Sequence, residues 1–343
     1  MSVLVTGGAG YIGSHMVLEL LDAGEDVVVL DDLSTGFRWA VPPQVPLVIG
    51  DFGDENLVKD AIARYGVTEI VHFAAKIVVP ESVARPLLYY SNNTAKARTL
   101  LETATSAGIE RFIFSSTAAV YGDPVQNPVT EDEPPKPMSP YGRSKLMVEW
   151  MLEDVSKASN LKYVALRYFN VAGGDPAGRA GQSTPNATHL IKVAVQTALG
   201  LRPKMQLFGI DYPTHDGSCV RDYIQVTDLA RAHMDALAHL RGGGQSLVCN
   251  AGYAKGFSVI DVIETVKRVS GRDFHVEVSE RRPGDPAAIV AGNDLIKSAL
   301  GWRPQHDDLE EIVRQALRWE QNLAERVSGN AGLDGIKTGA PGS

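Results

Sequence analysis

Apolar and polar positions change their period along the first half of the chain in a regular way. Six short, nearly continuous runs rich in β-branched and aromatic residues stand out: "SVLVT" (2–6), "DVVVL" (26–30), "PLVIG" (46–50), "EIVHF" (69–73), "RFIFSS" (111–116) and "YVALRYF" (163–169). Runs without strict alternation predict strands buried on both faces, as in a parallel sheet. Between them, 11–23, 54–65, 83–107 and 140–158 have helical length and periodicity. Strand and helix in turn predict an α/β fold, a Rossmann-type doubly wound parallel sheet.

After Asn170 the texture changes to "VAGGDPAGRAGQSTPN", whose glycines and prolines predict a long loop and a domain junction. Helices are expected at 227–240, 258–270 and 308–325, and a strand at 246–252, so the second region reads as a smaller, mixed α/β domain. The division is 1–170 for the first domain, with 222–250 returning to it, and 171–325 for the second. Residues 326–343, small, polar and glycine-rich, are expected to form a mobile tail.

Composition narrows the class. The 343 residues are 44% hydrophobic and 22% charged, with a net charge of −8, which fits a globular protein and no phosphate-tracking basic run. Nucleic acid is not an expected partner. Cys219 and Cys249 form neither a CxxC motif nor a disulfide framework. The chain opens directly into a strand and has no eighteen-residue apolar run, so a cytoplasmic protein with no membrane partner is expected. Of eight histidines none makes HExxH, so no metal is expected, and no G-x-S-x-G elbow suggests acyl chemistry.

Two motifs carry chemistry. In "LVTGGAGYIGSH" the glycines Gly8, Gly10 and Gly13 satisfy G-x-G-x-x-G between the first strand and the first helix. Glycine permits close approach of backbone to a pyrophosphate, and the helix N-terminus offers N–H groups to it. Asp31, at the end of the second strand, can accept from a ribose 2′-OH and would repel a 2′-phosphate, which favours NAD over NADP. In "SPYGRSKLMVEW" (139–150) Ser139 and Pro140 read as N-cap and first helical residue, so Tyr141 and Lys145, four apart, project from one face.

With "TGGAGYIG", "FSSTAAVYG" (114–122) and "SPYGRSK" (139–145) in order, the chain resembles the extended short-chain dehydrogenase/reductase family. Within that family, "LRYFNVAG" (166–173), "DYPTHDGSCVRDYIQVTDLA" (211–230) and "RRPGD" (281–285) are similar to the UDP-glucose 4-epimerases, isomerases of nucleotide sugars. The resemblance runs from residue 1 to about 325. It implies NAD as cofactor, a UDP-sugar bound by the second domain, and a homodimer.

By the family's motifs Thr117, Tyr141 and Lys145 form the catalytic group. The resemblance places Gly7, Gly10, Tyr11, Ile12, Gly13, Asp31 and Asp32 around the dinucleotide, with Asp51 and Phe52 at the adenine. Phe73, Ala74, Ala75 and Asn92 would line the cofactor pocket together with Tyr141 and Lys145, and Tyr168 its nicotinamide end. For the sugar nucleotide it points to Thr117, Phe169, Asn170, His189, Leu190, Phe208, Arg221, Tyr223, Arg282 and Asp285. Guanidinium groups at 221 and 282 suit a diphosphate, because they bind phosphate oxygens in bidentate fashion. Two positions depart from the pattern. Ile77 stands where many members carry lysine, with Lys76 displaced by one, and Ile289 stands at the position associated with admission of N-acetylated sugars.

Epimerisation at C4 needs that carbon made planar, which oxidation to a ketone achieves. Tyr141 would act as base, yet a free phenol has a pKa near ~10, roughly 4 kcal/mol too high for neutral pH. A lysine ammonium at roughly 6 Å in an effective dielectric of about 20 offers ~2.8 kcal/mol of this. Competing readings are a 4-epimerase of UDP-N-acetylglucosamine or a UDP-pentose, a nucleotide-sugar dehydratase and a non-catalytic NAD-binding regulator. Ala118 and Ala119, where a dehydratase carries an acidic pair, weigh against dehydration.

Overall fold

The computed structural model describes residues 2–329 apart from positions 186 and 283. Its centre is a seven-stranded parallel sheet. The first five strands are β1 (Ser2–Thr6), β2 (Asp26–Asp31), β3 (Leu47–Ile49), β4 (Val67–His72) and β5 (Arg111–Ser115), and the sixth is β6 (Lys162–Tyr168). Helices α1 (Tyr11–Asp22), α2 (Glu55–Tyr65), α3 (Val79–Ala84), α4 (Pro86–Tyr89), α5 (Lys96–Ser106) and α6 (Pro140–Ala158) make the crossovers.

Later elements are shorter: β7 (Asn170–Ala172), α7 (Leu190–Ala198), β8 (Met205–Phe208), β9 (Val220–Gln225), α8 (Val226–Arg241), β10 (Leu247–Ala251) and β11 (Gly256–Ser258). They are followed by α9 (Val259–Ser270), β12 (Val276–Ser279), β13 (Ala288–Ile289), α10 (Asp294–Leu300) and α11 (Leu309–Gly329). The large sheet runs β10-β6-β5-β4-β1-β2-β3. Beside it, β9 is flanked by β11 and β13 and pairs with β7, while β8 pairs with β12.

Successive strand residues feed opposite cores, which is why the strands read as unbroken apolar runs. Val3, Val5, Val27 and Val29 join one buried cluster with Met16 and Leu20 of α1 and Leu229 and Leu237 of α8. Leu4, Val28, Leu30 and Ile70 join another with Val58 of α2, Leu100 of α5 and Val148 and Leu152 of α6.

The helix expected over 83–107 is broken. It begins at Val79 and stops where Pro86 forces Arg85 to φ −134°, ψ 60°, and a π-helical turn over Tyr90–Ala95 then leads into α5. Helix α11 continues to Gly329, into the stretch expected as a tail from residue 326; the rest of that stretch, residues 330–343, lies outside the described residues. No helix among the described residues is long and apolar enough to cross a membrane.

Candidate active site

The sheet's parallel strands end on one side, and the loops leaving β1, β2, β4, β5 and β6 there carry the site. Gly7 takes φ +73°, and a Cβ on it would stand 2.7 Å from the Ala74 nitrogen, so glycine is required where the β1 and β4 loops meet. Gly13 sits equally tight, since its Cβ would lie 2.2 Å from the Gly7 oxygen. Helix α1 follows with Gly10 as an N-cap that offers no side chain, leaving the leading N–H groups at Tyr11, Ile12 and Gly13 without a side-chain cap. An uncapped helix start behind a glycine turn fits a dinucleotide pyrophosphate.

The Asp31 carboxylate is fixed against this turn, accepting from Ala9 N at 2.9 Å and Leu33 N at 2.8 Å. Burial pushes its pKa up against those two bonds. Leu33 adopts φ +56° to make the bend, a conformation uncommon for a side chain of this kind. Asp32 is engaged in its own loop, accepting from Ser34 N and Oγ at 2.9 and 2.6 Å.

Asp51, Phe52 and Asn92 converge on a residue that the sequence left unremarked, Lys96. Its Nζ donates to Asp51 Oδ2 at 2.5 Å and Asn92 Oδ1 at 3.2 Å, and lies 5.9 Å from the Phe52 ring centroid. The "HFAA" segment follows β4: Phe73 N bonds Thr6 O at 3.0 Å, its ring packs 4.7 Å from His233, and Ala74 abuts Gly7 before Ala75. Next along, the Lys76 backbone is held from both sides by the Asn93 amide, whereas Ile77 is exposed.

Helix α6 starts as its sequence dictates. Ser139 Oγ accepts from Gly142 N at 3.1 Å with Pro140 at the first position. Tyr141 and Lys145 are both buried. Thr117 leaves β5 at the head of a short 3-10 turn over Ala118–Val120, where its Oγ1 accepts from Ala119 N at 3.2 Å, and its side chain acts on the Tyr141 phenol. Lys145 Nζ lies 4.5 Å from the Phe114 ring centroid. Burial raises the Tyr141 pKa, opposed by the Thr117 side chain, and lowers that of Lys145 to about 7, opposed by Glu149. Desolvation therefore outweighs the acidifying effect that spacing alone suggests for the lysine.

Glu149, one turn beyond Lys145, was also missed, although it repeats the four-residue spacing. Its buried carboxylate accepts from Arg167 Nε and Nη2 at 3.0 and 2.6 Å and from Ser116 Oγ. Ser116 precedes Thr117 and Arg167 precedes Tyr168, whose hydroxyl meets Ser115 Oγ. One carboxylate thus ties together the three segments that deliver Thr117, Lys145 and Tyr168.

On the other flank, Phe169 shares a buried cluster with Ala118, Leu146 and Ile289. Asn170 Nδ2 donates to Asp222 O at 3.2 Å and faces Tyr223 in the β7–β9 register. His189 precedes α7 and Leu190 opens it; the two line a cavity with Tyr11, Asn170 and Tyr223. Burial, then the Lys192 charge, lowers the His189 pKa. The turn between Arg282 and Asp285 (Asp285 N to Arg282 O, 3.3 Å) sets the Arg282 guanidinium 3.8 Å from the Phe208 ring centroid and Asp285 3.7 Å from Arg221. The four residues form one chain of contacts with two guanidinium groups in it.

A model of the NAD dependent epimerase/dehydratase family matches residues 3–252. A UDP-glucose 4-epimerase of Azospirillum brasilense is 56% identical over 97% of this chain and 95% of its own. A UDP-glucose 4-epimerase from Brucella ovis, solved in complex with NAD, superposes with a TM-score of 0.90 at 42% identity, covering 92% of this chain and 97% of its own. The UDP-Glc/GlcNAc 4-epimerase of Campylobacter jejuni gives 0.82 at 46% identity, covering 94% and 99%.

Proposed function

The chain belongs to the NAD dependent epimerase/dehydratase family, and from that premise we propose that it is an NAD-dependent isomerase interconverting UDP-glucose and UDP-galactose at C4. The observation that carries the reading is the burial of Tyr141, Lys145 one turn on and Thr117 at the same strand ends as an uncapped glycine turn and Asp31. Bound NAD supplies a reversible acceptor for the C4 hydride, so that the carbon passes through a planar ketone and can be re-reduced on either face.

Tyr141 Oη takes the proton of the sugar 4-OH and later returns it, and Thr117 Oγ1 orients that hydroxyl. Lys145 stabilises the phenolate as its opposite charge in a dry site. Arg221 and Arg282 hold the diphosphate, which leaves the 4-keto sugar free to swing about its tether. Gly7, Gly10, Tyr11, Ile12, Gly13, Asp31 and Asp32 hold the dinucleotide, and Asp51, Phe52, Phe73, Ala74, Ala75, Asn92 and Tyr168 line its pocket. Phe169, Asn170, His189, Leu190, Phe208, Tyr223 and Asp285 receive the sugar nucleotide.

Residues 1–170 with 222–250 act as the nucleotide unit and 171–325 as the sugar-nucleotide unit. A cytoplasmic homodimer serving galactose metabolism completes the proposal. UDP-N-acetylglucosamine is the second substrate reading, favoured by the medium-sized Ile289 beside Phe169 and by the likeness to the Campylobacter jejuni protein named for both sugars.

The test is product analysis after incubating purified protein, without added cofactor, with each UDP-sugar. Tyr141→Phe is expected to lower turnover by at least about a hundredfold while bound dinucleotide is kept. Near-normal turnover would remove Tyr141 as the base.

A further inference from the structure

Three aromatic side chains meet beside the glycine-rich turn. Gly36, whose Cβ would meet Ala9 at 2.8 Å, and Phe37 N, bonded to Ala9 O at 3.0 Å, press the loop after β2 against the glycine-rich turn. From that loop Phe37 packs against Trp39 with centroids 5.0 Å apart, and Trp39 packs against Trp319 of α11 with centroids 6.1 Å apart, both pairs tilted at 30°.

Trp319 is itself seated for this contact. Its indole lies where a Cβ on Gly181 would come within 2.3 Å, its Nε1 donates to Ser183 Oγ at 3.2 Å, and it is 2% exposed. Trp39, by contrast, is 42% exposed. The cavity behind the stack is lined by Gly10 and Tyr11 of the helix start together with Thr35, Phe37, Trp39 and Ser183. A pyrophosphate held at the α1 N-terminus would therefore lie behind an aromatic bridge whose one wall is fixed and whose other wall rides on a surface loop.

We propose that Trp39 and Trp319 are cofactor-retaining residues: their stack is a clasp joining the loop after Asp31 to the C-terminal helix, and it must part before the dinucleotide can leave. This rests on the reading of the glycine turn as the NAD site. The clasp suits chemistry with no net redox, in which the same cofactor serves turnover after turnover. Because Trp39 is the exposed partner, its removal opens the bridge without emptying a core position.

The experiment measures release of NAD from the purified holoenzyme on dilution into a dehydrogenase trap that consumes free NAD, comparing wild type with Trp39→Ala and Trp39→Phe. Trp39→Ala is expected to release dinucleotide about tenfold faster, and Trp39→Phe, which keeps an aromatic face, to stay within about twofold of wild type. Equal release rates for all three proteins, or equal acceleration in both variants, would overturn the clasp, as would a wild-type chain that binds no dinucleotide. Failure of the sugar reading is a separate result: tightly held NAD with the expected release rates, and no conversion of any UDP-hexose.

Discussion

At the scale of single residues, the decisive groups are buried charges held by few partners. Glu149→Gln leaves the Arg167 guanidinium buried with a neutral acceptor. Removing one partner of such a pair costs about 3 kcal/mol or more. Urea denaturation of that variant is therefore expected to show a loss of this order, and a loss below about 1 kcal/mol would show that the pair does not hold the segment. Such contacts explain what was legible and what was not. Tyr141 and Lys145 could be read because their spacing has a helical meaning, and Thr117 because it stands in a motif of the family the chain resembles. Lys96 could not, because its partner Asp51 stands in another loop and the two meet only in space. Trp39 and Trp319 are hidden for the same reason, being 280 residues apart in the chain.

At the scale of elements, legibility followed burial. Strands β1, β2, β4, β5 and β6 are covered on both faces, so hydrophobicity alone marks them. The strand β9 carries Arg221 and Asp222 in its middle, and the buried Asp222 side chain accepts from the Tyr253, Ala254 and Ala291 amides. A strand stabilised through a carboxylate does not look apolar. Helix ends were readable where a side chain makes the cap. Ser139→Ala removes the bond to Gly142 N at the head of α6 and is expected to lower stability by about 1 kcal/mol, measured by urea unfolding. Ser139→Asp, which can still cap, should restore most of it. No change in the alanine variant would mean that packing alone sets where the helix begins, and with it where Tyr141 points.

At the scale of the whole molecule, buried ionisable groups set the response to acid. Burial lowers His15 to about 4, His72 to about 3 and His233 to about 4. Each is below the ordinary histidine value, so the unfolded chain takes up these protons first. The stability they leave intact above about pH 6.5 is lost as pH falls toward the folded values, at about 1.4 kcal/mol per pH unit for each. Asp222 runs the other way. Raised to about 6 mainly by burial, it protonates first in the folded state and offsets one histidine's share. For these four groups together the expectation is a fall of about 3 kcal/mol per pH unit near pH 5. Urea midpoints at pH 7, 6 and 5 test it, and a flat profile would mean that the three rings ionise in place. The order of strands has its own consequence for synthesis. The sheet position outside β6 is filled by β10, so a nascent chain whose first six sheet strands have emerged still presents an open hydrogen-bonding edge until Leu247–Ala251 leaves the ribosome. Over that interval the growing polypeptide carries a template for pairing with its neighbours on the same messenger.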